Sequence, residues 1–417
     1  MSFSSSLQIL RHKEFRWFVL ARFFLTLAIQ MQFSTIYLQV YYEYSKEEFM
    51  LGMIGLAEAV PFIITSFYSG YLADIINRKK ILMTGCFALF FGSLFLFGLS
   101  TSYFDALKNT GIAALFGVIF VFGIIRSFLA VSTTPFMSQI VPRELYTQSA
   151  TWNSTAWHIG SILGPVISGI LFGYKNAYHP DWCYATTCVL FLFAFLFYAL
   201  IKNRPVTSQK GNESFRQSML AGVRFVFKNN LVLSALSLDL FAVLFGGAIA
   251  LIPAFTDKIL HLGPDAYGLL RTAPAVGALL MAFYLTFKTP ARFAGISLLL
   301  GVAGFGLFTI FFALCTNYWL AFLMLLCTGA FDNISVVIRH SILQLATPDE
   351  MRGRVAAVNS IFIGSSNEIG AFESGVAARF MGLVPSIIFG GSMTILTVLG
   401  INKLNPELKK LDLTKLH

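Results

Sequence analysis

The sequence predicts an all-α integral membrane protein whose 12 transmembrane helices form two six-helix bundles related by a pseudo-two-fold axis. Three observations predict it. The 417 residues are 56% hydrophobic and 12% charged, with 44 Phe, whereas a soluble domain carries about a quarter charged residues. Apolar stretches of about 20 residues, each long enough to cross ~30 Å of hydrocarbon as a helix, recur from one end to the other. A stretch of the first half also aligns with the second half at one constant offset.

The expected spans are 16–41, 51–73, 80–101, 112–140, 147–173 and 181–201, followed by 231–255, 265–287, 291–313, 317–343, 353–382 and 384–402. They predict an amino-terminal bundle over 1–201, a linker over 202–230 and a carboxy-terminal bundle with its tail over 231–417. The linker carries Lys202, Arg204, Lys210, Arg216, Arg224 and Lys228, and its second part is expected to lie as an amphipathic helix on the inner leaflet. The polar opening Met1–Phe15, with Arg11 and Lys13, has no small-residue cleavage site and predicts no removable signal peptide.

Of 30 Lys and Arg, four (Lys46, Lys108, Lys175, Lys258) fall on one side of this topology and five (Arg22, Arg126, Arg271, Arg339, Arg379) within spans, which leaves 21 on the other side, with Arg16, Lys80, Arg292 and Arg354 counted there at the span ends that face it. Basic residues stay in the cytoplasm, so both termini are expected there, in a multi-pass membrane protein. That placement, rather than a nucleic-acid partner, accounts for the net charge of +10. The repeat runs from Gly123–Gln148 onto Gly329–Arg354 at an offset of 206, pairing Arg126 with Asp332, and continues through Gly164 with Gly370 and Gly169 with Gly375. Parallel repeats of this kind place a substrate site near the membrane midplane between halves.

After the second span comes Gly70-Tyr-Leu-Ala-Asp74-Ile-Ile-Asn77-Arg78-Lys79-Lys80. A positive-inside anchor explains the basic run but leaves Gly70 and Asp74 unexplained. This loop resembles that of the major facilitator superfamily, which has a Gly, an Asp four residues on and a basic pair. Ile75 stands where a basic residue is usual and Asn77 where Gly is usual; Asn tolerates a left-handed backbone. The resemblance implies the major facilitator fold and a cytoplasmic gate at Gly70, Asp74, Arg78 and Lys79. The corresponding region of the second half, Lys288 to Arg292, keeps only basic residues.

The fifth span contains Gly160, Gly164, Pro165 and Gly169, a small-residue stripe that lets helices approach closely, with a proline kink. It resembles the fifth-span motif of facilitator antiporters, with Thr151 and Ser168 where glycines are usual, and so implies export by antiport. Phe15-Arg16 to Phe23, Gly268 to Ala278 and Thr347 to Arg354 resemble the branch of the superfamily that contains enterobactin exporters and drug efflux proteins.

Ionisable residues at membrane depth cost at least ~2.5–3.5 kcal/mol for a central Arg, Lys or Asp and mark functional candidates. Here they are Arg22, Glu58, Arg126, Asp239, Asp332, Glu368 and Glu373. In a facilitator fold, spans one, four, seven and ten line the path, so Arg22 and Arg126 would place positive charge opposite Asp239 and Asp332. Asp239 is expected to carry the proton, while Arg126 keeps Asp332 ionised. Arg339 and Arg379, near span ends, are expected to snorkel to the interface. His158 and the five cysteines are expected to be structural.

The function expected is proton-coupled export of a siderophore-like or hydrophobic drug-like molecule. Its partners are that cargo, protons and the bilayer, with neither nucleotide nor nucleic acid, no cofactor and no metal. Uptake or flipping of a nutrient or lysolipid is the alternative. An enzyme or channel fits less well, because HExxH, GxSxG and Walker patterns are all absent from the sequence.

Overall fold

A computed structural model describes residues 9–101, 111–204, 215–288, 290–348 and 351–415. Every regular element among them is helical. The first six spans are α1 (Lys13–Gln39), α2 (Glu48–Ile75), α3 (Arg78–Ser100), α4 (Gly111–Ile140), α5 (Tyr146–Phe172) and α6 (Pro180–Ala199). The linker forms α7 (Phe215–Lys228). Span seven is α8 (Asn230–Phe245), a 3-10 turn (Gly247–Leu251) and α9 (Ile252–Lys258). The remaining spans are α10 (Pro264–Phe287), α11 (Ala294–Ala313), α12 (Tyr318–Leu345), α13 (Arg352–Met381) and α14 (Leu383–Leu404). Every observed span lies within about three residues of its expected bounds.

Local chemistry sets the helix ends. Asn77, Asn229 and Asn317 precede α3, α8 and α12, and each side-chain oxygen accepts from backbone N–H groups of the first turn, which have no partner within the helix. Gly382 alone separates α13 from α14, at φ 90°, a backbone that a side chain would strain. Span seven breaks at Gly246-Gly247, where two adjacent glycines lower helix propensity within an apolar run. Eleven described helices are long and apolar enough to cross a membrane. The span missing from that set is α13, 30 residues long, whose Asn359, Asn367, Glu368 and Glu373 lower its hydropathy.

The chain divides into two compact units. Unit 1 is Met1–Tyr44, Val60–Lys210 and Gly263–Thr272, and unit 2 is Ser45–Ala59, Gly211–Leu262 and Ala273–His417. Each therefore includes a short piece from the other half of the sequence. In unit 1, Phe18 packs between Phe15, Phe136 and Tyr198, all fully buried. In unit 2, α8, α11, α12 and α14 close over an apolar core that includes Leu238, Leu298, Ile338 and Val398, sealed by Leu408, Leu411 and Leu413 of the tail. A second apolar cluster joins Val226 of α7 to Val232, Leu343, Val355 and Val358. All five cysteines are free, four of them buried.

Candidate functional site

The glycine stripe of α5 divides its work between two neighbours in unit 1. A Cβ at Gly164 would lie 2.8 Å from the backbone nitrogen of Met31, and one at Gly160 would lie 2.9 Å from that of Leu27, so both residues press on α1. Beside them, the Ser168 and Thr35 hydroxyls are hydrogen-bonded at 2.9 Å, which gives the serine at a position expected to be glycine a partner across the seam. Gly169 instead meets the first turn of α10, where its Cβ would fall 2.5 Å from Pro264 O and 2.9 Å from Gly268 Cα. Pro165 is buried, and its carbonyl faces Gly268.

Unit 2 contains the repeat-related crossing. Gly375, at the position related to Gly169 by the offset of 206, meets Gly52 of α2, and a Cβ on Gly375 would lie 2.6 Å from Gly52 Cα. One turn along, Gly55 faces Ala371 and the Glu368 carbonyl. Ion pairs Lys46–Asp257 (3.2 Å) and Lys258–Glu48 (2.7 Å) flank this end of α2, and the Arg379 guanidinium lies 4.7 Å from the Phe49 ring centroid.

The charged candidates have unequal surroundings. In unit 1 the Arg126 guanidinium lies 5.2 Å from the Phe33 ring centroid, within cation–π range. Arg22 is half-buried, and its Nε, like the Tyr198 hydroxyl, is buried without a hydrogen bond. In unit 2 Glu58 is buried, while Glu368 and Glu373 are half-buried. The Ser374 hydroxyl is 3.5 Å from the Glu373 carboxylate.

Two expectations are corrected here. Arg339 does not snorkel: it is 2% exposed and forms an ion pair with Asp239 of α8, itself 7% exposed. The reason is register. Arg339 faces inward one turn before Ile342, beside a carboxylate that would otherwise be buried alone. Asp239, not Asp332, is therefore the carboxylate with an identified cation. The half-buried Asp332 carboxylate has no hydrogen-bond or ion-pair partner among the described residues.

The basic loop after α2 packs against the end of α6. Lys79 is buried, and its ammonium donates to the carbonyls of Ala199 (2.9 Å) and Ile201 at the end of α6. Asn77 Nδ2 donates to the Arg204 carbonyl at 3.0 Å, and Arg204 pairs with Glu14 of α1. Lys79 and Asn77 thus staple the start of the linker to unit 1, and Lys79 satisfies carbonyls that a helix end leaves open. Gly70 has open space where a Cβ would be, and Arg78 opens α3. The Asp74 side chain lies outside the described residues. Lys79→Met keeps the apolar stem and removes the donors. It is expected to lower stability by about 1.5–3 kcal/mol, read as thermal unfolding in detergent; an unchanged melting curve would deny Lys79 the capping role.

Sequence reasoning missed a polar cluster where α1 continues into a π-helical turn, Val40–Tyr44. Gln39 is buried there, accepts from the Tyr184 hydroxyl (2.7 Å) and donates to Glu43 (2.8 Å) and Ser100 (3.1 Å). It also missed Arg271, whose guanidinium lies 5.2 Å from the Tyr37 ring centroid. A lone Gln or Arg in an apolar run was the available signal.

A dozen spans, glycine-seated crossings and membrane-depth charges define a small-molecule transporter rather than an enzyme. Residues 18–371 match the profile of the Major Facilitator Superfamily, and the chain belongs to that family. Over 396 residues it is 22% identical to the enterobactin exporter EntS of Shigella boydii serotype 4, covering 91% of this chain and 89% of that one. Over 169 residues it is 32% identical to a probable peptide/nitrate transporter of Arabidopsis thaliana, covering 38% of this chain and about a third (31%) of the plant protein. Among solved structures, a D-xylose–proton symporter superposes with a TM-score of 0.73 at 15% identity, covering 98% of this chain and 99% of that one. The nucleoside transporter NupG superposes with a TM-score of 0.71 at 14% identity, covering 94% of this chain and 99% of that one. These structures establish the fold alone.

Proposed function

We propose that this secondary transporter exports a medium-sized organic molecule, of the siderophore or hydrophobic drug class, in exchange for protons. The observation that carries the reading is the relation to an enterobactin exporter over nine-tenths of both chains. The seating of Gly160 and Gly164 on α1 supports it, since this is the segment that resembles the antiporter motif. So does the sign of the charges: Arg22 and Arg126 in unit 1, Glu58, Asp239, Asp332, Glu368 and Glu373 in unit 2. We place the protein in a bacterial inner membrane with both termini cytoplasmic, on the distribution of basic residues. The halves 1–201 and 231–417 are the bodies that alternate, with Gly70, Asp74 and Arg78 as the cytoplasmic gate.

Carboxylates at membrane depth exchange protons with whichever side admits water, and a conformational cycle that switches access converts a proton gradient into cargo movement. The test is transport into inverted vesicles with an imposed proton gradient, against a panel of catecholate siderophores and lipophilic cations. Cargo entering as protons leave supports export. Cargo and protons moving in the same direction would make the protein an uptake symporter, and cargo equilibrating without regard to the gradient would make it a facilitator.

A further inference from the structure

We propose that the cargo is an organic anion, and that Arg126 and Arg271, seated on neighbouring aromatic rings of α1, are the cations that hold its oxyanion groups. This deepens the export reading above, on which it rests for the size of the cargo, and excludes the lipophilic cations named there. The groups lie together in unit 1. The Arg126 guanidinium of α4 lies 5.2 Å from the Phe33 ring centroid, and the Arg271 guanidinium of α10 lies 5.2 Å from that of Tyr37. Phe33 and Tyr37 are buried residues of α1 one helical turn apart, so their Cβ atoms stand about 5–6 Å from each other on one face. Arg22 belongs to the same face, within about 60° of both rings around the helix at 3.6 residues per turn.

A cation–π contact engages the charge of a guanidinium through the ring face and consumes none of its N–H donors. Arg271 has one donor, Nη1, that is buried and makes no hydrogen bond among the described residues, and the Nε of Arg22 is in the same condition. A buried donor without an acceptor is destabilising, and an oxyanion that accepts from it removes that cost. Arg126 and Arg271 are each half-buried, so neither side chain is sealed inside the bundle.

The sign of the ligand follows from the charges of unit 1. Its spans carry acidic residues only in their end turns, at Glu14, Asp74, Asp181 and Asp265, whereas Arg22, Arg126 and Arg271 lie deeper. A guanidinium stays charged throughout a transport cycle, while a carboxylate at membrane depth becomes neutral when it takes a proton. Unit 1 therefore presents permanent positive charge at membrane depth. In unit 2 the one identified arginine–carboxylate pair at that depth, Arg339 with Asp239, cancels itself. An anion is favoured over a neutral or cationic cargo, and a carboxylate fits the guanidinium fork closely, its two oxygens accepting from parallel N–H groups.

The test is equilibrium binding to the detergent-purified protein, read by fluorescence anisotropy, of two xanthene dyes that share a scaffold and differ in charge. Fluorescein is an anion in mildly alkaline buffer, and rhodamine 6G is a cation. The wild type is expected to bind fluorescein the more tightly. Arg271→Gln and Arg126→Gln are each expected to weaken fluorescein binding about 10- to 100-fold, the worth of a charge-assisted hydrogen bond, and to leave rhodamine 6G bound as tightly as before or more so. These opposite responses cannot come from a variant that has merely lost its fold. Equal affinity for the two dyes, preference for the cation or binding of neither overturns the proposal, as does an anion preference that survives both substitutions. No proton gradient enters this measurement, so the two readings fail separately. An anion preference in a protein whose transport ignores the gradient sinks the proton-coupled reading alone, and proton-driven export of lipophilic cations sinks the anion assignment alone.

Discussion

Asp239→Asn is expected to destabilise the protein by ~3–5 kcal/mol, because it leaves the Arg339 guanidinium buried in an apolar core with no counter-charge. The loss comes from the stranded charge, since a buried pair gives back little beyond its own desolvation. Asp239→Leu/Arg339→Met, which replaces the pair with apolar groups of comparable size, is therefore expected to melt close to wild type in detergent, or above it. It should nonetheless fail to transport, because the charge has gone from the transport cycle. Thermal unfolding of the two variants side by side decides the matter. If the single variant is as stable as wild type, the ion pair is not shut away from water.

Gly375→Val is expected to disrupt the crossing of α13 on α2. Its Cβ would sit 2.6 Å from Gly52 Cα and 2.8 Å from Gly52 N, and backbone atoms have no rotamer by which to move aside. Overpacking of this kind costs about 1–3 kcal/mol, enough to reduce the population of the packed crossing ~5- to 150-fold. A cysteine at Ala371, a position 7% exposed beside Gly55, should react slowly with a water-soluble maleimide in the wild-type background. It should react at least about tenfold faster when Gly375→Val is added, and transport should fall in parallel. Gly169→Val, at the repeat-related crossing with Gly268, is expected to behave likewise. Unchanged labelling would mean that the crossing yields more easily than its geometry implies.

The spans were legible in the sequence because lipid imposes one rule on every backbone group: a span is an apolar helix of about 20 residues, with basic residues at its ends. The repeat at an offset of 206 located the glycines that meet in the two units, though not their partners. Gly52 and Gly268 lie far from Gly375 and Gly169 in sequence, and no pattern links them. The break in span seven was hidden because Gly246-Gly247 lies within an apolar run whose composition still reads as one helix.

The charges were legible as a set but not as pairs. Arg339 is 100 residues from Asp239, and only the packing of α8 on α12 makes them neighbours. Its nearness to a span end suggested the interface; its register on the helix directs it inward. Lys79 was read as part of a gate because a basic residue after a span satisfies topology and family pattern equally well. Its actual acceptors, the last carbonyls of α6, come from a segment about 120 residues away.

The polarity of α13 bears on how the protein is made. A span leaves the translocon for lipid only if its own transfer free energy is favourable, and Asn359, Asn367, Glu368 and Glu373 weigh against that for α13 alone. A nascent chain ending near residue 382 would have a segment with little inclination to leave the channel. The next helix, α14, is strongly apolar and joined to it through the single residue Gly382, so the two emerge as a hairpin in which one helix carries the other into the bilayer. Biogenesis of the second half is thus expected to wait for its last span, and truncation before α14 should leave α13 as a substrate for membrane quality control.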